Sequence, residues 1–273
     1  MTLPPPPDRW NRMTRKIRRA VFRDEPTYYD MFENQGEKFF ARLYLRQIRR
    51  VLQEDGFQEG PCPLKILDAG CQAGRLSIPM SLEGHQVTGV DTSGVGLERL
   101  KRHAKEQGAV LRVIRADLGR WLPAQPKDSF DVIICSEVLY LRRNYRALLE
   151  GLIRLLRPRG LLFVSHRPTA YYLAEAFQRG DWDAVRLLQS SKEGTLFGSY
   201  YNWQDREDLE QLYGELPIEN LEITPIGFLS WLAVNPERLD QAGQDLLFQA
   251  EVDSMHRCRG AGRYLLVSGR KKQ

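Results

Sequence analysis

The chain has 273 residues, with 42% hydrophobic and 27% charged residues, a balance that excludes wholesale disorder and fits one large domain with a smaller cap. No apolar run is long enough to span a bilayer, and the first residues lack an apolar signal segment, so we expect a cytoplasmic protein. The net charge of +5 is uneven, because residues 1–50 hold 12 Lys and Arg against 6 Asp and Glu, which leaves −1 for the remainder.

Residues 1–60 are predicted to form a basic helical cap. After the proline-rich leader MTLPPPPD, apolar residues recur at helical spacing from Trp10 to Phe22, with arginines between them. A stronger helix follows in GEKFFARLYLRQIRRVLQEDG, and GFQEGPCP ends it. The basic segment could attract an acidic acceptor, contact RNA phosphates, or form a plainly solvated amphipathic helix. It is also Arg-rich like a transit peptide, although PPPP at its start argues against that.

Residues 61–273 are predicted to form the main domain, because strands and helices alternate from Leu64 onward. Predicted helices, one of them ended by Gly108 and another, NYRALLEGLIRLLRPRG, by Pro158 and Gly160, separate short aliphatic strands. The strands are LKILDAG, HQVTGVD, AVLRVIRAD, SFDVIICSE and GLLFVSH. This alternation is typical of an α/β fold, a doubly wound, Rossmann-like and mostly parallel sheet.

The alternation changes after His166. We predict an inserted lid at about residues 168–203, with a helical part, PTAYYLAEAFQRGDWDAVRLLQS, and a Gly- and Tyr-rich loop, SKEGTLFGSYYNW. A helix capped by Asp205 and two late strands, LEITPIGF and RYLLVSG, complete the domain.

Acidic residues follow the predicted strands where ligands bind in open α/β sheets, at the carboxyl ends. They are Asp68, Asp91, Asp117 and Glu137. A dinucleotide site would need glycine where the chain has Gln72 and Arg75, and no P-loop is present. A ligand with a ribose but no phosphate fits better, since Asp91 can accept from ribose hydroxyls and Asp117 from an adenine amino group.

Five motifs, in order, resemble those of the class I S-adenosylmethionine (SAM)-dependent methyltransferases, in particular the small-molecule type found in quinone biosynthesis. They are ILDAGCQAGRLS, VTGVDTS, IRADL, FDVIICSEVLYL and LLRPRGLLFVSHR. The resemblance covers roughly residues 64–167 well and the late strands loosely. It implies an enzyme with a seven-stranded sheet, a final antiparallel strand, SAM as methyl donor and S-adenosylhomocysteine as product.

By position, the resemblance implies a set of cofactor-binding residues. They are Asp68, Gly70, Gln72, Gly74, Asp91, Thr92, Asp117, Leu118, Ser136 and Glu137, with Tyr29 closing over the site. Gln72 departs from the family, which usually has glycine there. Its amide could bond SAM, it could point outward from a wide turn, or it could mark a decayed site.

His166, at the end of the fifth strand, is the candidate base, and Tyr140 the candidate second catalytic residue. Candidate substrate residues come from the lid: Tyr171, Tyr172, Tyr201 and Trp203. For each of them, packing in the core or bonding to backbone is the competing interpretation. The scattered Cys and His residues predict free thiols and no bound metal.

The sequence therefore predicts a SAM-dependent methyltransferase that transfers a methyl group to an O, N or C atom of a small-molecule acceptor by in-line displacement. Two alternatives stay open. An RNA or protein methyltransferase would use the basic N-terminal segment, although nucleic acid is the less favoured partner. A non-catalytic SAM-binding protein would explain Gln72. The acceptor atom and the oligomeric state are not predicted.

Overall fold

The structure, a computed structural model, describes residues 30, 32–57, 63–232, 234–255, 257–258 and 260–273. The predicted basic helix at residues 10–22 and the predicted cofactor residue Tyr29 lie outside the described residues, as does most of the predicted cap.

In the described part of the chain, seven strands form one sheet in the order β3-β2-β1-β4-β5-β9-β8. Strands β1 to β5 pair in parallel, and β9 runs antiparallel between β5 and β8. The strands are β1 (Lys65–Ala69), β2 (Gln86–Asp91), β3 (Arg112–Arg115), β4 (Phe130–Cys135), β5 (Leu156–His166), β8 (Ile218–Ile226) and β9 (Tyr264–Lys271). The predicted doubly wound fold with a final antiparallel strand is confirmed.

The helices of the described residues flank this sheet or belong to the insertion. They are α1 (Gln35–Glu54), α2 (Ser77–Leu82), α3 (Gly94–Gln107), α4 (Leu118–Trp121), α5 (Tyr145–Leu155), α6 (Thr169–Arg179), α7 (Trp182–Ser190), α8 (Arg206–Gly214), α9 (Leu229–Leu232) and α10 (Gln241–Ser254). As predicted, Gly108 ends α3 in the left-handed conformation and Asp205 caps α8.

Helix α1 packs into the main core. Asn34 starts it by accepting a hydrogen bond from the Glu37 N–H at 2.9 Å. Phe39, Leu43 and Ile48 on its inner face are fully buried, in one cluster with apolar side chains of β1, β4, β5 and β9. Since α1 covers the sheet directly, it can position side chains beside the strand ends.

Two sequence predictions about local structure were wrong. Residues 191–203 do not form a loop, because β6 (Glu193–Leu196) and β7 (Ser199–Asn202) pair as a hairpin. Its two-residue turn, Phe197 and Gly198, has φ of 52° and 83°, the left-handed pair of a type I′ turn, although Asn-Gly is the usual signal. Helix α5 also ends earlier than Pro158, because Leu156 already pairs with β4 at Phe130.

We predict that Leu43→Ala lowers the free energy of unfolding by about 2–5 kcal/mol, because it opens a cavity under α1. Arg46→Ala, on the exposed side of the same helix, is the matched control and should change it by less than about 0.5 kcal/mol. Equilibrium denaturation measures both variants. Equal effects would contradict the packing of α1 as a core element.

Candidate functional site

A cavity of about 410 Å³ opens at the carboxyl ends of the central strands, a size that suits a small-molecule ligand. Eight of the eleven cofactor-binding residues predicted from the sequence line this cavity, together with eight residues that were not predicted. The lining comprises Asp68, Gly70, Cys71, Gln72, Arg75, Leu76, Val90, Asp91, Thr92, Ala116, Leu118, Ser136, Glu137, Val138, Leu141 and Arg142.

The loop after β1 is a tight glycine turn. Gly70 has φ of +96°, and a Cβ there would lie 2.2 Å from a methyl carbon of Val138, so only glycine fits. Gly74 has φ of +87° and packs against Leu100 and Ile78, behind the cavity rather than in its lining. Gly70 therefore shapes the cavity wall, and Gly74 holds the turn against α3.

Gln72 takes the left-handed conformation with φ of +43°, which glycine adopts at lower cost. Its side-chain Oε1 accepts a hydrogen bond from the Ala73 N–H at 2.6 Å, and its own N–H donates to Asp91 at 3.0 Å. The amide oxygen is thus engaged within the turn, where it offsets part of the conformational cost.

Asp91 ends β2 and organises the loop that follows. One carboxylate oxygen accepts from the Gln72 N–H and the other from the Ser93 N–H at 2.8 Å. Each oxygen keeps a further lone pair that can accept from a ligand hydroxyl. Thr92, next to it, also lines the cavity.

Asp68 is buried at the floor of the cavity, where Ser77 donates a hydrogen bond to it. Burial raises the pKa of Asp68 from 3.8 to about 6, and the Ser77 hydrogen bond only partly opposes that rise. The carboxylate is therefore ionised at neutral pH but poorly stabilised, a state that a cationic ligand group would relieve.

Asp117 lies at the rim and not in the lining. Its carboxylate accepts from the Gly119 N–H at 2.9 Å and from Arg142 at 2.8 Å, and the bond with Arg142 is the main reason that the pKa of Asp117 is lowered. Arg142 and Leu118 do line the cavity. Asp117 can therefore contact an adenine ring only if the bound ligand extends to the rim of the cavity.

A buried ion-pair chain crosses the site. Arg75, directly after the glycine turn, pairs with Glu37 of α1 and with Glu137 after β4. Glu137 also accepts from the Tyr264 hydroxyl. Although burial would raise the pKa of Glu137, Arg75 and Arg167 hold it below its usual value, so the carboxylate is ionised.

A second cavity, of about 300 Å³, lies on the Glu37 side of this chain. Aromatic and charged side chains from α1, the insertion and the segment before β9 surround it. Its lining is Gly36, Glu37, Phe40, Tyr171, Glu175, Ser230, Trp231, Asn235, Pro236, Glu237 and Arg263. Glu37 therefore belongs to this cavity, while its partner Arg75 belongs to the first.

The structure does not place His166 at either cavity, which corrects its assignment as a base. The ring is fully buried, Nδ1–H donates to Gln204 Oε1 at 3.2 Å, and Nε2 accepts from the Tyr213 hydroxyl at 2.9 Å. Burial lowers the pKa of His166 to about 4. Neutral, sequestered and fully bonded, it holds the insertion's end and α8 to β5.

Of the predicted aromatic residues, one lines the second cavity and the others are packed inside the protein. Tyr171 lines the second cavity, whereas Tyr172 and Trp203 are buried in the core of the insertion, with half-buried Tyr201 packed against them. Tyr140 is also buried, and burial raises its pKa, so it is a poor proton acceptor or donor at neutral pH. Tyr140, Tyr172, Tyr201 and Trp203 therefore pack rather than line either cavity.

One group of described residues, Asp30, Glu33 and His103, could hold a metal ion, since its ligand atoms lie within 4.8 Å of one another. Arg99 and Arg102 approach Asp30 to 3.6 and 3.4 Å, so the charge of this carboxylate is already matched. The group lies outside both cavities.

Four residues that line the cavities were not predicted as site residues from the sequence: Arg75, Arg142, Glu37 and Arg263. A faint signal existed for Arg75, because a cation at the start of a helix opposes the helix dipole and needs a partner. Glu37 and Arg263 carried no such signal, because they reach the site from positions far away in the sequence.

Residues 66–160 match the model of a family described as a methyltransferase domain. A ubiquinone biosynthesis O-methyltransferase of Histophilus somni (strain 2336) is 38% identical over 104 residues, which are 37% of this chain and 44% of the relative. The chain thus matches less than half of that protein. Another of the same description, from Yersinia pestis (strain Pestoides F), is 29% identical over 170 residues, 58% of this chain and 69% of the relative.

Solved structures share the fold. Magnesium protoporphyrin IX methyltransferase from Synechocystis PCC 6803, with bound S-adenosylhomocysteine, superposes with a TM-score of 0.56 at 18% identity, over 95% of this chain and 98% of that one. A SAM-dependent methyltransferase from Methanosarcina mazei gives a TM-score of 0.53 at 13% identity, over 77% of this chain and 93% of that one.

Within the described residues, every helix is too short or too polar to cross a membrane.

We predict that Gln72→Gly changes SAM affinity by less than about threefold, because the amide oxygen already accepts from Ala73, whereas a lost ligand bond would cost about tenfold. Gln72→Ala is the control, since it removes the amide but keeps the unfavourable φ. It should be less stable than Gln72→Gly by about 1 kcal/mol. Calorimetric titration and denaturation measure these quantities, and a tenfold loss of affinity in both variants would make the amide a SAM ligand.

Proposed function

We propose that the chain is a class I SAM-dependent methyltransferase that methylates an O, N or C atom of a small-molecule acceptor by in-line displacement. The observation that carries the proposal is a pair of cavities connected by one ion pair: Arg75 lines the cavity at the carboxyl ends of the strands, and its partner Glu37 lines the cavity with aromatic side chains.

The first cavity fits SAM by the chemistry of its lining. Three carboxylates face it, those of Asp68, Asp91 and Glu137, while its two arginines, Arg75 and Arg142, are held in ion pairs. Such a lining favours a cation with hydroxyl and amino donors over a phosphate. Asp68 would hold the methionine end and Asp91 the ribose, with Ser136 and Glu137 near the sulfonium.

Bound SAM supplies an electrophilic methyl carbon whose leaving group, a thioether, needs no proton. What remains for the protein is to align the acceptor and to exclude water, and alignment can account for a large share of the acceleration. A base is required only if the acceptor enters protonated. Loss of His166 and Tyr140 as catalytic candidates therefore leaves the proposal intact.

The second cavity would hold the acceptor. Tyr171 and Trp231 form one wall, with ring centroids 5.8 Å apart, and Phe40 of α1 contributes another. At about 300 Å³ it suits a small planar molecule better than a nucleic acid or a folded protein.

The function is tested in two steps. Calorimetric titration should give a dissociation constant for SAM in the micromolar range or tighter. Absence of SAM binding to the folded protein would contradict the proposal. Labelled SAM is then added to separate metabolite, RNA and protein fractions. Label in the metabolite fraction supports the proposal, label confined to RNA or protein favours the alternative enzymes, and binding without transfer to any fraction favours a non-catalytic SAM-binding protein.

We predict opposite effects of Asp68→Asn on stability and on SAM binding. In the folded protein the pKa of Asp68 is about 6, above the usual 3.8, so folding favours the protonated carboxyl group. The contribution of Asp68 to the free energy of unfolding is therefore lost as pH rises through about 6. At pH 7.5 the neutral amide should therefore raise the melting temperature of the free protein. It should also lower SAM affinity at least about tenfold, because the amine loses its counter-charge.

The pH dependence provides the control. In the unmodified protein, SAM affinity should fall as pH is lowered from 7.5 to 5.5, because Asp68 is neutralised, and Asp68→Asn should flatten that dependence. An unchanged affinity and pH profile in the variant would remove Asp68 from the binding site.

A further inference from the structure

Arg263 is the one cationic residue among those that line the second cavity. It lines this cavity, and its guanidinium lies over the rings of Phe40 and Tyr264, at 4.5 and 5.6 Å from their centroids. Its Nε is buried without a hydrogen-bond partner, and no carboxylate of the described residues forms an ion pair with it. A buried guanidinium is usually paired with an anion.

A second guanidinium lies behind the cavity wall. Arg167, almost completely buried, stacks on the Tyr171 ring at 4.0 Å and on the Tyr264 ring at 4.5 Å. It donates to the Tyr264 hydroxyl at 2.6 Å, while its Nε also lacks a partner. The two arginines share the Tyr264 ring, but the charge of Arg167 is partly balanced by Glu137, so Arg263 is the cation that lines the cavity.

The acidic residues around the cavity already have partners elsewhere. Glu37 pairs with Arg75, and Glu175 pairs with Arg179 at 2.8 Å. Glu237 is exposed to water and accepts from Asn34 at 2.8 Å. Glu251, buried next to Ser230, accepts from the N–H groups of Phe228 and Ser230 and from the Ser230 hydroxyl. Arginines thus balance Glu37 and Glu175, while water screens Glu237, so Arg263 is the cation of the cavity lining that has no counter-ion among the described residues.

The remaining walls are flat. Tyr171 and Trp231 lie at an interplanar angle of 34°, and Phe40 carries the Arg263 guanidinium on its face. Aromatic faces of this kind bind planar rings by stacking. An acceptor would therefore meet ring surfaces along its body and a guanidinium at one end.

We propose that the second cavity binds a small aromatic carboxylate, with the carboxylate on Arg263 and the ring against Tyr171 and Trp231. The inference rests on the proposed function and names the acceptor class. A carboxylate matches the planar donor fork of a guanidinium. A doubly charged phosphate would be repelled more strongly by Glu37 and Glu175, and an amine would meet the unpaired guanidinium itself.

Three probes of one size separate a carboxylate from a neutral group and from an amine: benzoate, benzamide and benzylamine, titrated calorimetrically into the full chain loaded with S-adenosylhomocysteine. Benzoate should bind at least about tenfold more tightly than the neutral amide, the range expected for a hydrogen bond to a charged group, and benzylamine should bind more weakly than either. Equal binding of benzoate and benzamide, tighter binding of benzylamine, or no benzoate binding would overturn the inference.

Arg263→Gln supplies the residue test and should weaken benzoate binding about tenfold or more while leaving S-adenosylhomocysteine affinity within about twofold. Arg42→Gln is the matched control. That arginine also lies over a phenylalanine, Phe248, at 4.4 Å, but pairs with Asp245 outside both cavities. Equal loss of benzoate binding in both variants, or none in Arg263→Gln, would contradict the assignment.

The wild-type probe series keeps the inference testable even if Arg263→Gln does not fold. Failure of S-adenosylhomocysteine to bind would instead be a failure of the proposed function, so the two outcomes are distinguishable.

Discussion

The buried guanidinium of Arg75, held between Glu37 and Glu137, is the interaction on which the site depends. Although burial works against its charge, Glu137 and Glu37 hold the pKa of Arg75 above its usual value, and Arg75 in turn keeps the pKa of Glu137 below its usual value. Such a chain contributes little net stability, because desolvation offsets the attraction, but loss of one member would leave an uncompensated buried charge costing about 3–5 kcal/mol. Its effect is to fix α1 against the turn after β1 and the end of β4.

Both cavities follow from that fixed geometry. The Arg75 side of the chain closes the cavity where Asp68 and Asp91 lie, and the Glu37 side forms part of the wall facing Tyr171 and Arg263. The ion pair between Arg75 and Glu37 therefore connects the cavity proposed for the donor with the cavity proposed for the acceptor. The same region leaves two charges poorly satisfied, the carboxylate of Asp68 and the guanidinium of Arg263, and each is opposite in sign to the ligand group proposed for it. The unfavourable electrostatic energy of these two charges in the free protein would be relieved when the ligands bind, and this relief would increase ligand affinity.

The sequence predicted the parts of this arrangement that are local. Gly70 and Asp91 could be assigned because each lies at the end of a predicted strand, and the carboxyl ends of parallel strands share one sheet edge. The partners of Arg75 could not, because Glu37 and Glu137 are 38 and 62 residues away and meet it only through packing. His166 failed for a related reason: its place at a strand end was right, but α8 covers it with Tyr213. The hairpin at residues 193–202 was missed because Phe197 and Gly198 are an unusual turn pair.

A crystal structure of the chain with S-adenosylhomocysteine tests the central claim most directly. The account predicts the ligand in the cavity of about 410 Å³, between Asp68 and Asp91, with Arg75 still paired to Glu37 and Glu137 and the cavity around Arg263 left open for an acceptor. A ligand bound beside Arg263, or an Arg75 side chain displaced from its two glutamates, would contradict it.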